Sequence, residues 1–300
     1  MRKVTRLLWS SIAVMIALLC MMVKSYMNGT LFSSGEYSSE YPYLTVRTGR
    51  GMKEMDLEEY VMGITAGEIS AEAHPEARRA QMILVRTNLY KSLEDTQGEL
   101  AQEPYWSMEQ MEKEGVASVF QEDSQITAGQ VVEIDGSLCY LPFHKVSAGR
   151  TRSGQEALPG QGYDWLTSVP CDSDQESPDY LDIRIWKPDR LIASLEEFWP
   201  GENQDPMEVI QVTHRDSADY VLSVSVGEKE LSGERFRQLL GLPSACFYLE
   251  EVEEGIRITT KGQGHGLGLS QFQAELMAEA GAGYQDILSA FFAQAAMSSR

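Results

Sequence analysis

The sequence predicts an α+β fold in which short antiparallel hairpins and amphipathic helices follow one another without a regular strand–helix–strand alternation. Three observations carry that expectation. Apolar residues recur at helical spacing at Leu57, Tyr60, Val61 and Ile64, and again at Tyr284, Ile287, Leu288, Phe291 and Phe292. Two-residue turn signals separate alternating apolar segments through the middle of the chain. No internal repeat or low-complexity block interrupts the pattern. With 300 residues, 43% hydrophobic and 23% charged, the chain can bury a sizeable core as one large domain or two modest ones.

Taken in order, the run from Leu7 to Val23 (LLWSSIAVMIALLCMMV) is uncharged and apolar, and Arg2, Lys3 and Arg6 precede it. Its length, and the lack of a clear A-x-A site after it, favour an uncleaved membrane anchor over a signal peptide. The basic flank would hold the N-terminus in the cytoplasm and place the remainder outside. Residues 1–24 are therefore assigned to the N-terminus and anchor, and residues 25–40, rich in Ser, Gly, Tyr and Asn, to a tether. Asp56 is positioned to open a helix. GITAGEISAEA, which carries Glu68, links it to a second helix whose first turn suits Pro75. In that second helix Ala80, Ile83, Leu84, Thr87 and Tyr90 form one inward stripe. The Glu-rich stretch around Glu94 to Glu114 reads as a solvated excursion.

Asp135-Gly136 between Val132/Ile134 and Leu138/Tyr140 marks a hairpin, and a second is expected to turn near Gly227. Ser232 caps a short helix that Gly241 ends. Strands around Phe247 to Leu249 and Ile256 to Thr260 lead into GQGHGLGLSQF, Gly262 to Phe272. There Ser270 and Gln273 read as a capping box that starts the next helix.

The formal net charge of −20 argues against nucleic acid as a partner, because no basic excess is available to release phosphate counterions. Outside the anchor, which contains Cys20, the cysteines are Cys139, Cys171 and Cys246. Their number and spacing make no disulfide framework. GQGHGLGLSQF lacks the third glycine of a dinucleotide fingerprint and the Gly-Lys-Ser/Thr of a P-loop. Read as an extended chain, its alternating glycines leave one face bare for a backbone or ligand to approach, with Gln263, His265, Leu267 and Leu269 on the other. Packing around a hydrogen-bonded His265 is the plainer alternative.

Glu68 lies between two apolar-striped helices and is a candidate general acid; a helix-capping carboxylate is the plainer reading. Arg86, basic in an apolar helix, is expected to reach the same site and grip substrate. FHKVSAGRTRSG packs His144, Ser147, Arg150, Thr151 and Arg152 into one polar loop suited to a hydroxyl-rich or anionic ligand. No G-x-S-x-G, H-E-x-x-H or CxxC is present, so neither a serine hydrolase nor a zincin is supported. A zinc site assembled from Cys139, His144, Cys171 and His265 would have irregular spacing.

Three separated segments together resemble the stage II sporulation protein D family, which includes amidase enhancers. LEEYVMGITAGEISAEAHPEARRAQMILVRTNLY is similar to the family's EYV-x-G and GE-M segment followed by its ART helix. FHKVSAGRTRSG with DWLTSVPCDSD is similar to its FH-x-x-x-GG-x-T stretch and later SV. LSGERFRQLLGLPSACF with GQGHGLGLSQF is similar to its SG-x-x-x-R and GHG-x-G-x-SQ signatures.

The resemblance implies one such domain over 41–300, held outside the membrane, that degrades peptidoglycan as a lytic transglycosylase. It would cut the MurNAc–GlcNAc bond of glycan strands from which an amidase has removed the peptides, during septal wall remodelling and engulfment in sporulation. It places catalysis on Glu68, with Arg86, His144, Ser147, Thr151, His265, Ser270 and Gln271 around the saccharides. Expected partners are glycan strands, a cell-wall amidase and the cytoplasmic membrane. Departures are Gln273 where the family has glycine and Ala148-Gly149 in place of its double glycine. The metal that some relatives hold is not carried over, because the loop offers only His144, and no cofactor is expected. A non-catalytic glycan-binding module that stimulates an amidase is the alternative, and a secreted metallohydrolase a third reading.

Overall fold

Asp56 opens the first helix as its sequence suggests. In the structure, a computed structural model that describes residues 43–48, 51–96, 99–101, 104–201 and 204–300, its carboxylate accepts a bond from Glu59 N at 2.9 Å. That cap starts α1 (Leu57–Glu68), and Tyr60, Val61 and Ile64 are buried along it. The anchor and tether assigned to residues 1–40 lie outside the described residues; among the described ones no helix is long and apolar enough to cross a membrane. Ahead of α1, β1 (Tyr43–Thr48) and β2 (Gly51–Asp56) form an antiparallel pair, and β3 (Glu99–Ala101) adds in parallel on the other side of β1.

Pro75 stands at the start of α2 (Pro75–Thr96), as expected, but this helix is buried on two faces rather than one. Met82, Val85, Leu89 and Leu93 pack into a first core with α1, β1 and α4 (Ala117–Ile126). Ala77, Ala80, Ile83 and Leu84 pack into a second core with Val132, Ile134, Leu267 and Leu269. A single stripe underestimates a helix that elements cover from both sides. Charge is enclosed along with it: Asp123, fully buried, receives Arg78 Nε at 2.7 Å and Arg79 Nε at 3.1 Å.

The Glu-rich stretch corrects the reading of a solvated excursion. Between β3 and α3 (Met108–Lys113), Tyr105 and Trp106 pack against the first core, Met111 is fully buried, and Trp106 N donates to Gly63 O at 2.9 Å. Gly63 permits this approach, since a β-carbon there would stand 2.4 Å from Trp106 O. Few but large apolar residues anchor the stretch, and its acidic composition masks them.

The first hairpin forms as expected: β4 (Gln130–Ile134) and β5 (Ser137–Leu138) are joined by Asp135 and Gly136, both at positive φ (51° and 75°) as a type I′ turn requires. The final strand, β14 (Ala295–Ser299), pairs with β4 on its other edge. Next come β6 (Phe143–His144), α5 (Gly154–Ala157) and a 3-10 turn at Asp172–Glu176.

A third core then gathers two three-stranded sheets. β7 (Leu181–Trp186) joins the hairpin of β11 (Phe247–Val252) and β12 (Gly255–Lys261) in the order β11-β12-β7. The other sheet, in the order β10-β9-β8, contains β8 (Ile210–Arg215), β9 (Val221–Val226) and β10 (Lys229–Ser232), the last two forming the hairpin expected near Gly227. Around them lie α6 (Pro188–Ser194), α7 (Pro206–Val209) and α8 (Gly233–Leu240). Ser232 caps α8 through Arg235 N, and Gly241 ends it at φ 59°. From this core β12 runs into residues 262–268 and on to β13 (Leu269–Ser270), which pairs in parallel with β6. α9 (Gln271–Glu279) and α10 (Tyr284–Phe291) complete the second core. The architecture is thus mixed α+β, with small sheets and, among the described residues, no doubly wound layer.

Candidate active site

Glu68 is the last residue of α1, and it is exposed. Ile69 stops the helix with extended backbone angles while its N–H still bonds Thr65 O at 3.0 Å. A carbonyl at a helix end needs a partner from outside the helix. For Glu68 that partner is Gln271, whose Nε2 donates to Glu68 O at 3.0 Å and to Gln81 Oε1 at 3.2 Å. The GHG stretch, through the first turn of α9, therefore fixes where α1 ends and where its last side chain starts. Against the neighbouring Gly67 lies the indole of Trp106, 3.8 Å from where a β-carbon would stand. An exposed acid one residue from an aromatic contact has the groups to meet a substrate with an apolar face and a protonatable oxygen.

The GHG stretch is not the extended ribbon its alternation suggests. Gly262, Gly264, Gly266 and Gly268 all have positive φ, from 69° to 114°. Each abuts a different neighbour: a β-carbon would fall 2.7 Å from Val146 O, 2.7 Å from His144 Cβ, 2.4 Å from the Tyr220 ring and 1.9 Å from Pro142 O respectively. The glycines serve close packing and left-handed turns rather than a bare face for ligand.

This coil sets both histidines through one residue. Leu267 O accepts from His144 Nδ1 at 3.0 Å, and Leu267 N donates to His265 Nδ1 at 3.0 Å. A carbonyl only accepts and an amide N–H only donates, so the two rings hold opposite tautomers. Their centroids are 5.8 Å apart. His144 is buried, its Nε2 has no partner among the described residues, and burial with the nearby His265 ring pushes its pKa down to about 3. It is neutral at physiological pH. Half-buried His265 is also shifted down, first by burial, while the backbone bond to Phe143 opposes the shift.

Asp174 ties the loops together, and nothing in its sequence context singles it out. It is fully buried, accepts from Ser147 N at 2.7 Å, and takes the Ser270 hydroxyl on both oxygens at 2.8 and 3.0 Å. Burial raises its pKa, and the bonds from Ser147 and Ser270 oppose that rise. Ser270 also caps α9, accepting from Gln273 N at 3.4 Å. The Gln273 side chain does not return the bond, since its Oε1 has no partner among the described residues, so only half of the expected capping box forms. Thr151 is fully buried and latches residues 168–169 through Val169 N at 2.8 Å. Arg152 holds the GHG coil: its N–H donates to Gly266 O at 2.7 Å, Nη1 to His265 O at 3.2 Å and Nε to buried Asp216 at 2.6 Å.

Arg86 requires the largest correction. Its side chain is 0% exposed and forms a two-bond ion pair with Glu58, Nε to Oε1 at 2.8 Å and Nη2 to Oε2 at 2.7 Å, and Nη1 donates to Gln130 O at 3.1 Å. It braces the beginning of α1, not the end that carries Glu68. Of the residues the resemblance gathered around saccharides, Ser147, Thr151, Ser270 and His144 are likewise inside the protein as braces. Glu68, Gln271 and His265 reach its surface. Trp106, Gln81, Asp174 and Asp216 were missed. Of these, only Trp106, a large aromatic in an acidic run, left a signal to follow.

Beside His265 opens a pocket of about 280 Å³, lined by Asn88, Tyr140, Tyr163, Trp165 and Leu267 among others. The Asn88 amide is engaged on both sides by Leu141 backbone, at 2.7 and 3.0 Å. Leu267 lines this pocket and Gln271, four residues on, bonds Glu68 O, so one stretch of chain touches both. Among the described residues no group of three His, Cys, Asp or Glu is arranged to hold a metal ion. Burial pushes the thiols of Cys171 and Cys246 up to about 12, which keeps them protonated.

The family model described as "Stage II sporulation protein" matches residues 47–133, which includes Glu68, Arg86 and Trp106. Stage II sporulation protein D of Bacillus amyloliquefaciens is 30% identical over 262 residues, covering 82% of this chain and 75% of the relative. Stage II sporulation protein D of Bacillus subtilis (strain 168) is 27% identical over 260 residues, covering 81% and 74% respectively. An uncharacterized protein of Brachyspira hyodysenteriae is 24% identical, covering 80% of this chain and 66% of its own length.

Proposed function

The chain belongs to the stage II sporulation protein D family, a family that acts in sporulation, and on that premise we propose that it is a lytic transglycosylase acting on peptide-free glycan strands of peptidoglycan. One observation carries the reading: the GHG stretch, distant in sequence, reaches the end of α1 through Gln271, which bonds the carbonyl of the exposed Glu68, while Trp106 lies against the neighbouring Gly67. A hydrolytic glycosidase uses two carboxylates. Intramolecular transfer needs one, because the substrate supplies its own nucleophile.

Glu68 protonates the oxygen of the MurNAc–GlcNAc bond, the C1–O bond breaks, and GlcNAc leaves with a new 4-hydroxyl. The resulting Glu68 carboxylate then takes the proton from the C6 hydroxyl of the same MurNAc as that oxygen bonds C1. A 1,6-anhydro ring forms, Glu68 regains its proton, and no water is consumed. Trp106 supports a sugar face near the bond, and the pocket beside His265 receives more of the strand. In this reading residues 7–23 anchor the chain in the cytoplasmic membrane with the domain outside, and a cell-wall amidase prepares the substrate.

The test is product analysis with the full chain on amidase-treated glycan. Anhydro-ended fragments are expected, and none from intact, peptide-bearing strands. Folded protein that binds the denuded glycan yet releases nothing would instead support a non-catalytic module that stimulates the amidase.

A further inference from the structure

β7 is the outer strand of its sheet, and its sequence LDIRIW presents Leu181, Ile183 and Ile185 to solvent at 52%, 56% and 51% exposure. Three large aliphatic side chains on one face of a strand edge that is unpaired among the described residues call for a cover. The backbone shows which groups are open. Gly262 N bonds Tyr180 O, and the register pairs Lys261 with Leu181, so Tyr180 and Gly262 are a hydrogen-bonded pair. Bonded and non-bonded pairs alternate in an antiparallel ladder. Asp182, Arg184 and Trp186 therefore bond β12, while Leu181, Ile183 and Ile185 direct their N–H and C=O groups to the open edge.

We propose that this edge pairs with the same edge of a second copy, antiparallel about a two-fold axis at Ile183, joining the two three-stranded sheets into one. That register sets Ile183 opposite Ile183 and Leu181 opposite Ile185, so each outward residue exchanges both backbone bonds and the apolar stripes become continuous. It also sets Asp182 opposite Arg184, twice. These are non-bonded positions, where facing side chains come closest. Within one chain Arg184 Nε lies 2.7 Å from Asp182 Oδ2, yet that oxygen is buried and accepts no aligned hydrogen bond among the described residues. The second copy's Arg184 would set a further guanidinium beside the accessible part of each Asp182 carboxylate, whose side chain is 32% exposed. A self-complementary charge pattern at this register favours the chain itself over an unrelated strand.

The test uses the full chain. Under mild oxidation Ile183→Cys is expected to cross-link to itself, since paired α-carbons would stand ~5.5 Å apart, within disulfide reach. Leu181→Cys alone should not; a mixture of Leu181→Cys and Ile185→Cys chains should. Asp182→Arg and Arg184→Asp should each weaken self-association about tenfold or more, and mixing the two should restore it as a heterodimer. That rescue separates lost pairing from lost folding. Absence of the Ile183→Cys cross-link, equal cross-linking by Leu181→Cys alone, or no rescue on mixing would overturn the proposal.

Discussion

The two ends of α1 carry two glutamates that the fold treats in opposite ways. Glu58, in the first turn, has both carboxylate oxygens bonded by Arg86 and a further bond from Ser124 Oγ at 2.9 Å. Glu68, ten residues on and ~15 Å along the axis, is exposed at the helix end, where Gln271 bonds its backbone carbonyl. At the first end the carboxylate braces the fold. At the second the fold braces the backbone of a residue that is exposed to solvent. Motif residues thus divide by what surrounds them: a guanidinium with no exposure belongs to stability, and an acid exposed at a helix end faces what approaches from solvent.

The contrast can be broken by substitution at the braced end. Glu58→Ala leaves the Arg86 guanidinium buried without its anion and is expected to cost about 3 kcal/mol in denaturant unfolding. Protein that remains folded should still cleave glycan; loss of activity at full stability would move Arg86 back to the substrate. A smaller effect probes the histidines. His144 protonates only near pH 3 when folded but at its ordinary 6.5 when unfolded, so the unfolded chain binds more protons between those values. Stability contributed above pH 6.5 is therefore lost as pH falls toward 3, by about 2 kcal/mol between pH 7 and pH 5. Asp174, raised by burial, works in the opposite direction above its ordinary 3.8, so the comparison must be with His144→Asn, which keeps a donor for Leu267 O but cannot titrate. The difference between the two unfolding curves should show the slope. The smallest expected effect is for Ser270→Ala, which removes a helix cap and one donor to Asp174: about 1 kcal/mol in stability.

Local elements were largely legible in the sequence because their signals are local. Asp56, Pro75, Asp135-Gly136, Ser232 and Gly241 act within a few residues of themselves, and each does in the structure what its chemistry suggests. What failed depends on distant partners. Arg86 reads the same in sequence whether it faces Glu68 or Glu58, since its helix fixes its side but not which part of α1 packs there. The GHG glycines alternate as an open ribbon would, yet Pro142, His144, Val146 and Tyr220, all distant in sequence, dictate their turns. Asp174 sits among other acidic residues, and only the converging Ser147 and Ser270 set it apart. Of the site, Glu68 was legible as a candidate and its latch was not.

Glu68 is the proposed seat of the chemistry, and one paired measurement addresses it. Thermal unfolding and release of anhydro-ended fragments from denuded glycan are recorded side by side for the full wild-type chain and Glu68→Gln. Product release is expected to fall by at least ~100-fold while the variant remains folded. A variant that melts lower in proportion to its lost activity, or one that still releases product at the wild-type rate, would contradict it.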